Sequence, residues 1–358
     1  MNYTINDNNL LSPAEVVELS SLPLNLCLED REYYNSIRTY CAEESKLVQI
    51  NNLFVNHESL LFKPLFNIID ESFVRKSQSD AFQKSKREKI VFIIKNYLLR
   101  FSSTQIDEDI VWFIDNYSQT YFHWITEALP RLFLIYKIDP KITIALPSYY
   151  KDMNYVSQSL SCFNGINIKW IENSRKYRLN KVSIPTQAGT PACYHKTLLL
   201  EFKNYILNQI ISKDNNPYPS RVYISRNKGN KRIVINEDKV LNILSHFGYT
   251  TIYNEDLSWQ EQIKYAYHAK SIVSIHGAGL TNVLFMESKA SVLEFRHDNN
   301  NFWDCFYRLS ALNEINYYYL KCKVGRKSNI KDYEYHHGDI VVDEVQLSLT
   351  LKKMHNHG

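Results

Sequence analysis

The carboxyl-terminal half of the 358-residue chain predicts an α/β fold built on a parallel, Rossmann-like sheet with helices on both faces. Three observations lead there. Strand-like and helix-like runs alternate from Arg221 to Leu320, an apolar run ends in the pair Gly277 and Gly279, and a basic loop emerges where a strand should stop. Chain length adds a soft expectation of two domains.

Arg221–Ser225 is a short β-type run, and Arg226-Asn-Lys-Gly-Asn-Lys231-Arg232 follows it, so cations leave the edge at which open α/β sheets bind ligands. Asn236 suits the N-cap of a helix from Glu237 to Phe247, with Gly248 just past its end. Thr250–Tyr253 is strand-like. Ser258 and Glu261 have capping-box spacing and open a helix running to about His268. The next strand, Ser271–Ile275, passes into His276-Gly277-Ala278-Gly279-Leu280-Thr281-Asn282, a tight turn into a short helix. Only nine glycines occur in the chain, so two within three positions point to a close approach or a sharp turn. The N–H groups of such a helix start, backed by the dipole, form an anion seat. A strand over Ala290–Phe295, a helix around Phe302–Leu312 and a strand over Asn316–Leu320 complete the alternation, and the segment from Asp339 onward is amphipathic.

In the first half, Val111–Asp115 is strand-like, Asn116–Gln119 turns, and a helix runs from Tyr121 to Leu132. At about 100° per residue, Phe122, Ile125, Leu129, Leu132 and Phe133 share one side and His123, Glu127 and Arg131 the other. His123 and Glu127 are thus i, i+4 neighbours, the spacing at which a carboxylate fixes an imidazole tautomer for general-base work. Pro130 is expected to bend this helix.

Taken together, Tyr121-Phe-His-Trp-Ile-Thr-Glu-Ala-Leu-Pro-Arg-Leu132, Tyr223-Ile-Ser-Arg226, Arg232-Ile-Val-Ile-Asn-Glu237, Ile272 to Asn282 and Val292-Leu-Glu294 resemble glycosyltransferase family 61, in its bacterial form. The resemblance covers roughly residues 110 to 320. It implies a GT-B-like architecture, two Rossmann-like domains facing across a cleft, with the donor on the carboxyl-terminal side. The linker-like Asp214–Ser220 sets the expected boundary: residues 1–213 on the acceptor side, 214–358 for the nucleotide-sugar, with the final segment returning to pack on the first domain. The expected activity is inverting transfer from a nucleotide-sugar, a UDP-sugar in the first instance, to a glycan or lipid-linked glycan hydroxyl in surface-polysaccharide synthesis. His123 would be the base, oriented by Glu127. Arg226 and Lys231, with His276, Gly277, Ala278, Gly279, Leu280, Thr281 and Asn282, would hold the donor, and Glu294 its ribose. Tyr121 and Trp124, with Tyr117 nearby, offer faces to the acceptor sugar. The alternative is a GT-B-like partner that binds a nucleotide-sugar or glycan without turning it over.

Other chemistries lack their motifs. No Gly-x-Ser-x-Gly accompanies the His-Gly-x-Gly run, and neither GxGxxG nor a P-loop is present. Asp107-Glu-Asp109 has metal-binding DxD spacing but lies in the wrong half for the donor, so no metal or other cofactor is expected; His336-His337 reads as surface. No run approaches the ~18 apolar residues of a membrane span. Six scattered cysteines suggest a reducing compartment, and the expected location is cytoplasmic, peripheral to the inner face of the membrane. The net charge of +4 is spread out, with Lys84–Lys89 the densest run, read as solvated surface with anionic lipid as the alternative; nucleic acid is not an expected partner.

Overall fold

A computed structural model describes residues 9–55, 60–63, 67–73, 85, 87, 90–91, 103–172, 175–211, 216–229, 232–298, 304–325 and 338–356. The chain forms two compact units, Met1–Val16 with Cys41–Phe202, and Val17–Tyr40 with Lys203–Gly358. Composition pointed to a division at Asp214, which lies outside the described residues; the units instead divide between Phe202 and Lys203, and an early excursion of the chain belongs to the second.

The first unit is built on an eight-stranded mixed sheet. Its strands are β1 (Leu10–Ser12), β2 (Ser45–Val55), β3 (Leu61–Lys63), β4 (Asn67–Ile68), β5 (Ser103–Val111), β6 (Thr143–Pro147), β7 (Asn167–Ile171) and β8 (Lys176–Pro185). The order is β4-β3-β2-β8-β5-β6-β7, with β1 on β2. The run β8-β5-β6-β7 is parallel, whereas β2 pairs antiparallel with β8. Where a Rossmann-like first domain was expected, the first unit has a mixed sheet: a parallel run is extended by antiparallel strands from a region without recognisable motifs. Helices α1 (Leu129–Tyr136), α2 (Asn154–Leu160) and α3 (Lys196–Ile210) accompany this sheet, α3 running on into the second unit.

The second unit carries a six-stranded sheet of β9 (Arg221–Ser225), β10 (Thr250–Tyr253), β11 (Ser271–Ile275), β12 (Ser291–His297), β13 (Asn316–Val324) and β14 (Ile340–Val341). The order is β10-β9-β11-β12-β13-β14, parallel except for β14. Every residue of β11 and β12 is buried, as strands covered on both faces require. The helices are α4 (Glu237–His246), α5 (Trp259–His268), α6 (Cys305–Leu312) and α7 (Glu344–Asn356). Gly248 takes φ +76°, the left-handed geometry that ends a helix cheaply, and both hydrogen bonds of the Ser258/Glu261 capping box form. Leu347, Leu351 and Met354 of α7 join Val240, Leu244, Tyr318 and Leu320 in this unit's core, so the final segment packs in the second unit and not, as expected, on the first.

The excursion Val17–Tyr40 is tied to β13 and its neighbours. Asn25 donates to the Tyr319 carbonyl and accepts from its N–H, at 2.6 and 3.1 Å, Lys321 reaches Asp30 at 2.8 Å, and the buried Tyr34 hydroxyl meets Arg296 at 2.5 Å.

Candidate functional site

In the second unit, strand order reverses between β9 and β11, since the chain goes to β10 on one side of β9 and then crosses to β11 on the other. The crevice at the carboxyl ends of those two strands is the topological switch point, where doubly wound sheets bind their ligands. Arg226 leaves β9 there, Asn254 follows β10, and His276 to Gly279 follow β11. Behind them, Tyr223 and Ser225 donate to Glu237 in the first turn of α4, at 2.7 and 2.8 Å, which fixes the strand that presents Arg226.

The two glycines are there to make room. A Cβ on Gly277 would lie 1.8 Å from Nη1 of Arg226, and one on Gly279 2.8 Å from Nδ2 of Asn254. Gly277 has φ 162°, extended backbone open to any residue, so space and not dihedral freedom demands glycine. The guanidinium and the amide each roof one glycine.

These roofing groups are unsatisfied. Nη1 of Arg226, Nε of Arg232 and Oδ1 of Asn254 are buried atoms with no hydrogen-bond partner among the described residues, as is Oγ1 of Thr281. Burial pulls Arg226 below the ordinary arginine range, and burial together with the charge of Arg226 takes Arg232 down to about 10. Arg232 also has φ +59°, a left-handed conformation costing a side-chain-bearing residue roughly 1–2 kcal/mol. Two adjacent cations, both short of hydrogen-bond acceptors, can bind a diphosphate. Sequence reasoning put Lys231 here; it lies outside the described residues, and Arg232 was passed over because nothing in a sequence marks left-handed backbone.

The segment after Gly277 is a 3₁₀ helix, Ala278–Phe285, where a short helix was expected. The Leu280 N–H, expected at the anion, closes the turn on the Gly277 carbonyl at 2.9 Å. Leu280, Thr281 and Asn282 are buried, and Asn282 donates to Gln262 of α5 at 3.3 Å, so these three anchor the turn while Ala278 and Gly279 are half-buried at its mouth.

His276 and Glu294 are both buried and hydrogen-bonded through Nδ1 and Oε1. The Tyr317 hydroxyl donates to the other Glu294 oxygen at 2.5 Å. Burial pushes Glu294 up, but His276, Arg296 and Tyr317 outweigh it and hold the carboxyl below the usual range. Burial lowers His276 against the opposing pull of Glu294, so the imidazole is neutral and its Nδ1–H donates. Glu294 was expected at the ribose; fully buried and bonded on both oxygens, it instead orients His276.

In the first unit, Nδ1 of His123 meets Oε1 of Glu127 at 2.8 Å, the expected i, i+4 pair. The intervening backbone is unexpected. Trp124–Ala128 is a π-helical turn between Tyr121–His123 and α1, and Pro130 falls in the first turn of α1, where its missing N–H costs little. The polar stripe is not a solvated face. Arg131 is 3% exposed and its Nη2 bonds Asp115 at 2.6 Å; Asp115 also accepts from Tyr117 N–H, Ser118 and Gln187. Burial raises the Asp115 carboxyl, but Arg131 and these donors keep it below the carboxylate range. Glu127 goes the other way: burial lifts it, only partly offset by His123, and its Oε2 has no partner among the described residues. It lines a cavity of ≈ 20 Å³ with Arg131, Gln187 and His195, room for about one water.

Of the expected acceptor aromatics, Trp124 is corrected: it is fully buried and donates to Ser159 at 2.9 Å, a core residue. Tyr121 is half-buried against Tyr155, and Tyr117, 40% exposed, has its ring 5.3 Å from His123. Asp107 accepts from Gln105 and Asp109 from Lys181, each at 2.5 Å, and no cluster of three or more metal-binding side chains occurs among the described residues. Among the same residues no helix is long and apolar enough to cross a membrane. His336 and His337 lie outside them, as does most of Lys84–Lys89. None of the six cysteines forms a disulfide among the described residues.

The fold is thus α/β, with one unit carrying at its switch point two arginines that each have a buried nitrogen lacking a partner among the described residues, and the other carrying a hydrogen-bonded His–Glu pair. Residues 121–293 match the Glycosyltransferase 61 family model, which supports assigning this segment to that family of glycosyltransferases. The matched segment starts at the helix of His123 and takes in Arg226, Arg232 and the glycine turn. No curated protein matches the chain.

Proposed function

We propose that the protein is an inverting glycosyltransferase that moves a sugar from a UDP-sugar to a glycan hydroxyl in the synthesis of a surface polysaccharide, without a metal ion on the donor. The observation that carries the donor side is the pair of half-buried arginines, Arg226 and Arg232, each with a buried nitrogen that lacks an acceptor among the described residues, beside the Gly277–Gly279 turn. Buried guanidinium nitrogens left without acceptors cost the empty protein stability, and a diphosphate that accepts from them removes that cost on binding. They also meet the charge that grows on the leaving diphosphate, the role a divalent ion would otherwise fill.

The acceptor chemistry falls to the first unit. Nδ1 of His123 is committed to Glu127, which leaves Nε2 to take the acceptor hydroxyl proton. The acceptor oxygen then forms its bond to the anomeric carbon as the bond to the diphosphate oxygen breaks, and the electron pair leaves with UDP. Glu127, its carboxyl largely shielded from water and bonded to His123, favours the imidazolium that forms. Direct displacement inverts the anomeric centre. Tyr117 supplies an exposed ring next to the base for the C–H face of the acceptor sugar.

The test is release of free nucleoside diphosphate from a panel of donors, with and without crude acceptor glycan, alongside calorimetry of UDP in excess chelator. Acceptor-dependent UDP release and chelator-resistant binding are expected. Binding that appears only with added Mn²⁺ or Mg²⁺ would overturn the metal-free donor seat, and binding without any turnover would leave a nucleotide-sugar-binding protein.

A further inference from the structure

The donor seat has one roofing group that phosphate chemistry does not use. Asn254 stands at the carboxyl end of β10, one strand beyond Arg226, and its side chain lies over Gly279 as the guanidinium lies over Gly277. Its backbone is pinned, since Gln262 of α5 donates to the Asn254 carbonyl at 2.9 Å and to that of Leu257 at 3.3 Å, and Asn282 of the glycine turn holds Gln262 in turn. The amide is thus held at a fixed place on the rim. Its Oδ1 is buried without a partner among the described residues, an arrangement costly to keep unless something else supplies a donor. A neutral amide is ill suited to a diphosphate, which needs donors and positive charge. It is well matched to a group presenting an N–H beside a carbonyl, because its oxygen accepts from the one while its NH₂ donates to the other.

We propose that Asn254 reads the pyrimidine base of the donor, pairing with the imide edge of uracil, and so sets the nucleotide specificity of the second unit. The inference rests on the reading of that unit as the donor seat. Arg226 and Arg232 hold the diphosphate, which every nucleoside diphosphate shares, and Asn254 contacts the part that differs between them. A base carrying an N–H at its central edge position gains the hydrogen bond; a base blocked there leaves Oδ1 as it stands in the empty protein.

The experiment measures dissociation constants of wild type and Asn254→Ala by calorimetry for UDP, N3-methyl-UDP, 2′-deoxy-UDP and inorganic pyrophosphate, with Arg226→Ala alongside. Expected for Asn254→Ala is a loss of about tenfold for UDP with pyrophosphate unchanged, which also shows that the variant is folded. Wild type should disfavour N3-methyl-UDP by a similar factor, and Asn254→Ala should bind UDP and its N3-methyl form alike. Equal losses for UDP and pyrophosphate, or none for UDP, would overturn the proposal; so would a penalty for 2′-deoxy-UDP that disappears in the variant, which would assign Asn254 to the ribose. Failure of the underlying donor reading looks different: wild type then binds neither UDP nor pyrophosphate, or Arg226→Ala binds both as well as wild type does.

Discussion

Gly277→Ala tests the position of Arg226 without removing the residue. The added Cβ would sit 1.8 Å from Nη1 and 3.0 Å from Cζ, where ordinary contact begins at 3.4 Å. The guanidinium must therefore withdraw by about 2 Å, beyond the reach of any hydrogen bond it makes on that side. Folding should survive this, because the displaced atoms are the free end of a flexible side chain and extended backbone accepts alanine. Binding should not. A charge-assisted hydrogen bond contributes about 1.5–3 kcal/mol, so calorimetry should show UDP weakened by about 10- to 150-fold. Arg226→Ala should produce a similar loss, and the double variant should be no worse than either, since both remove one contact. The unliganded Arg226→Ala protein should lose no thermal stability, because a half-buried cation with a buried nitrogen short of a partner has gone. A Gly277→Ala dissociation constant within twofold of wild type, or losses that add in the double variant, would refute the placement of the guanidinium over the turn.

The base is tested by His123→Ala, which should leave UDP affinity nearly unaltered yet cut transfer by roughly 10²–10⁴-fold, with Glu127→Gln costing less and product NMR showing an inverted anomer; near-wild-type turnover would remove His123 from the chemistry. Asp115→Ala strands the Arg131 cation in the interior, so urea unfolding should report a loss of about 3–5 kcal/mol, and a loss below about 1 kcal/mol would mean the pair is not closed in solution. Glu294 has its folded pKa depressed, so its stabilisation is present above the ordinary glutamate value near ~4.3 and is lost as pH falls through the folded pKa. The difference in melting temperature between wild type and Glu294→Gln should accordingly be constant at neutral pH and shrink below about pH 4; a difference unchanged down to pH 3 would mean that Glu294 is not ionised in the fold.

Where physics is local, the sequence was readable. The capping box at Ser258, the left-handed Gly248 and the apolar runs of β11 and β12 depend on residues a few positions apart, and each forms as expected. The His123–Glu127 pair was legible for the same reason, yet the π turn between them was not, because an i→i+5 bond leaves no periodic mark in so short a stretch. Long-range contacts set the remaining limits. Glu294 reads as a strand-end carboxylate until Tyr317 and His276 are brought to it, and Trp124 reads as a sugar platform until Ser159, 35 residues on, receives its N–H. Asn254 carried a signal, a polar residue directly after a strand, which gained meaning once strand order put that end beside the glycine turn.

The early excursion Val17–Tyr40 makes the second unit impossible to cut out as one stretch of chain. Asn25 and Tyr319, doubly hydrogen-bonded, are 294 residues apart, so on a ribosome the first of these partners waits through nearly the whole of synthesis for the second. A fragment starting at Lys203 would lack Tyr34 against Arg296 and Asp30 against Lys321, and would leave one flank of β13 bare. The second unit is thus the last part of the molecule to be completed, and the loop that must close to complete it contains Cys41–Phe202, all of the first unit but its opening segment Met1–Val16.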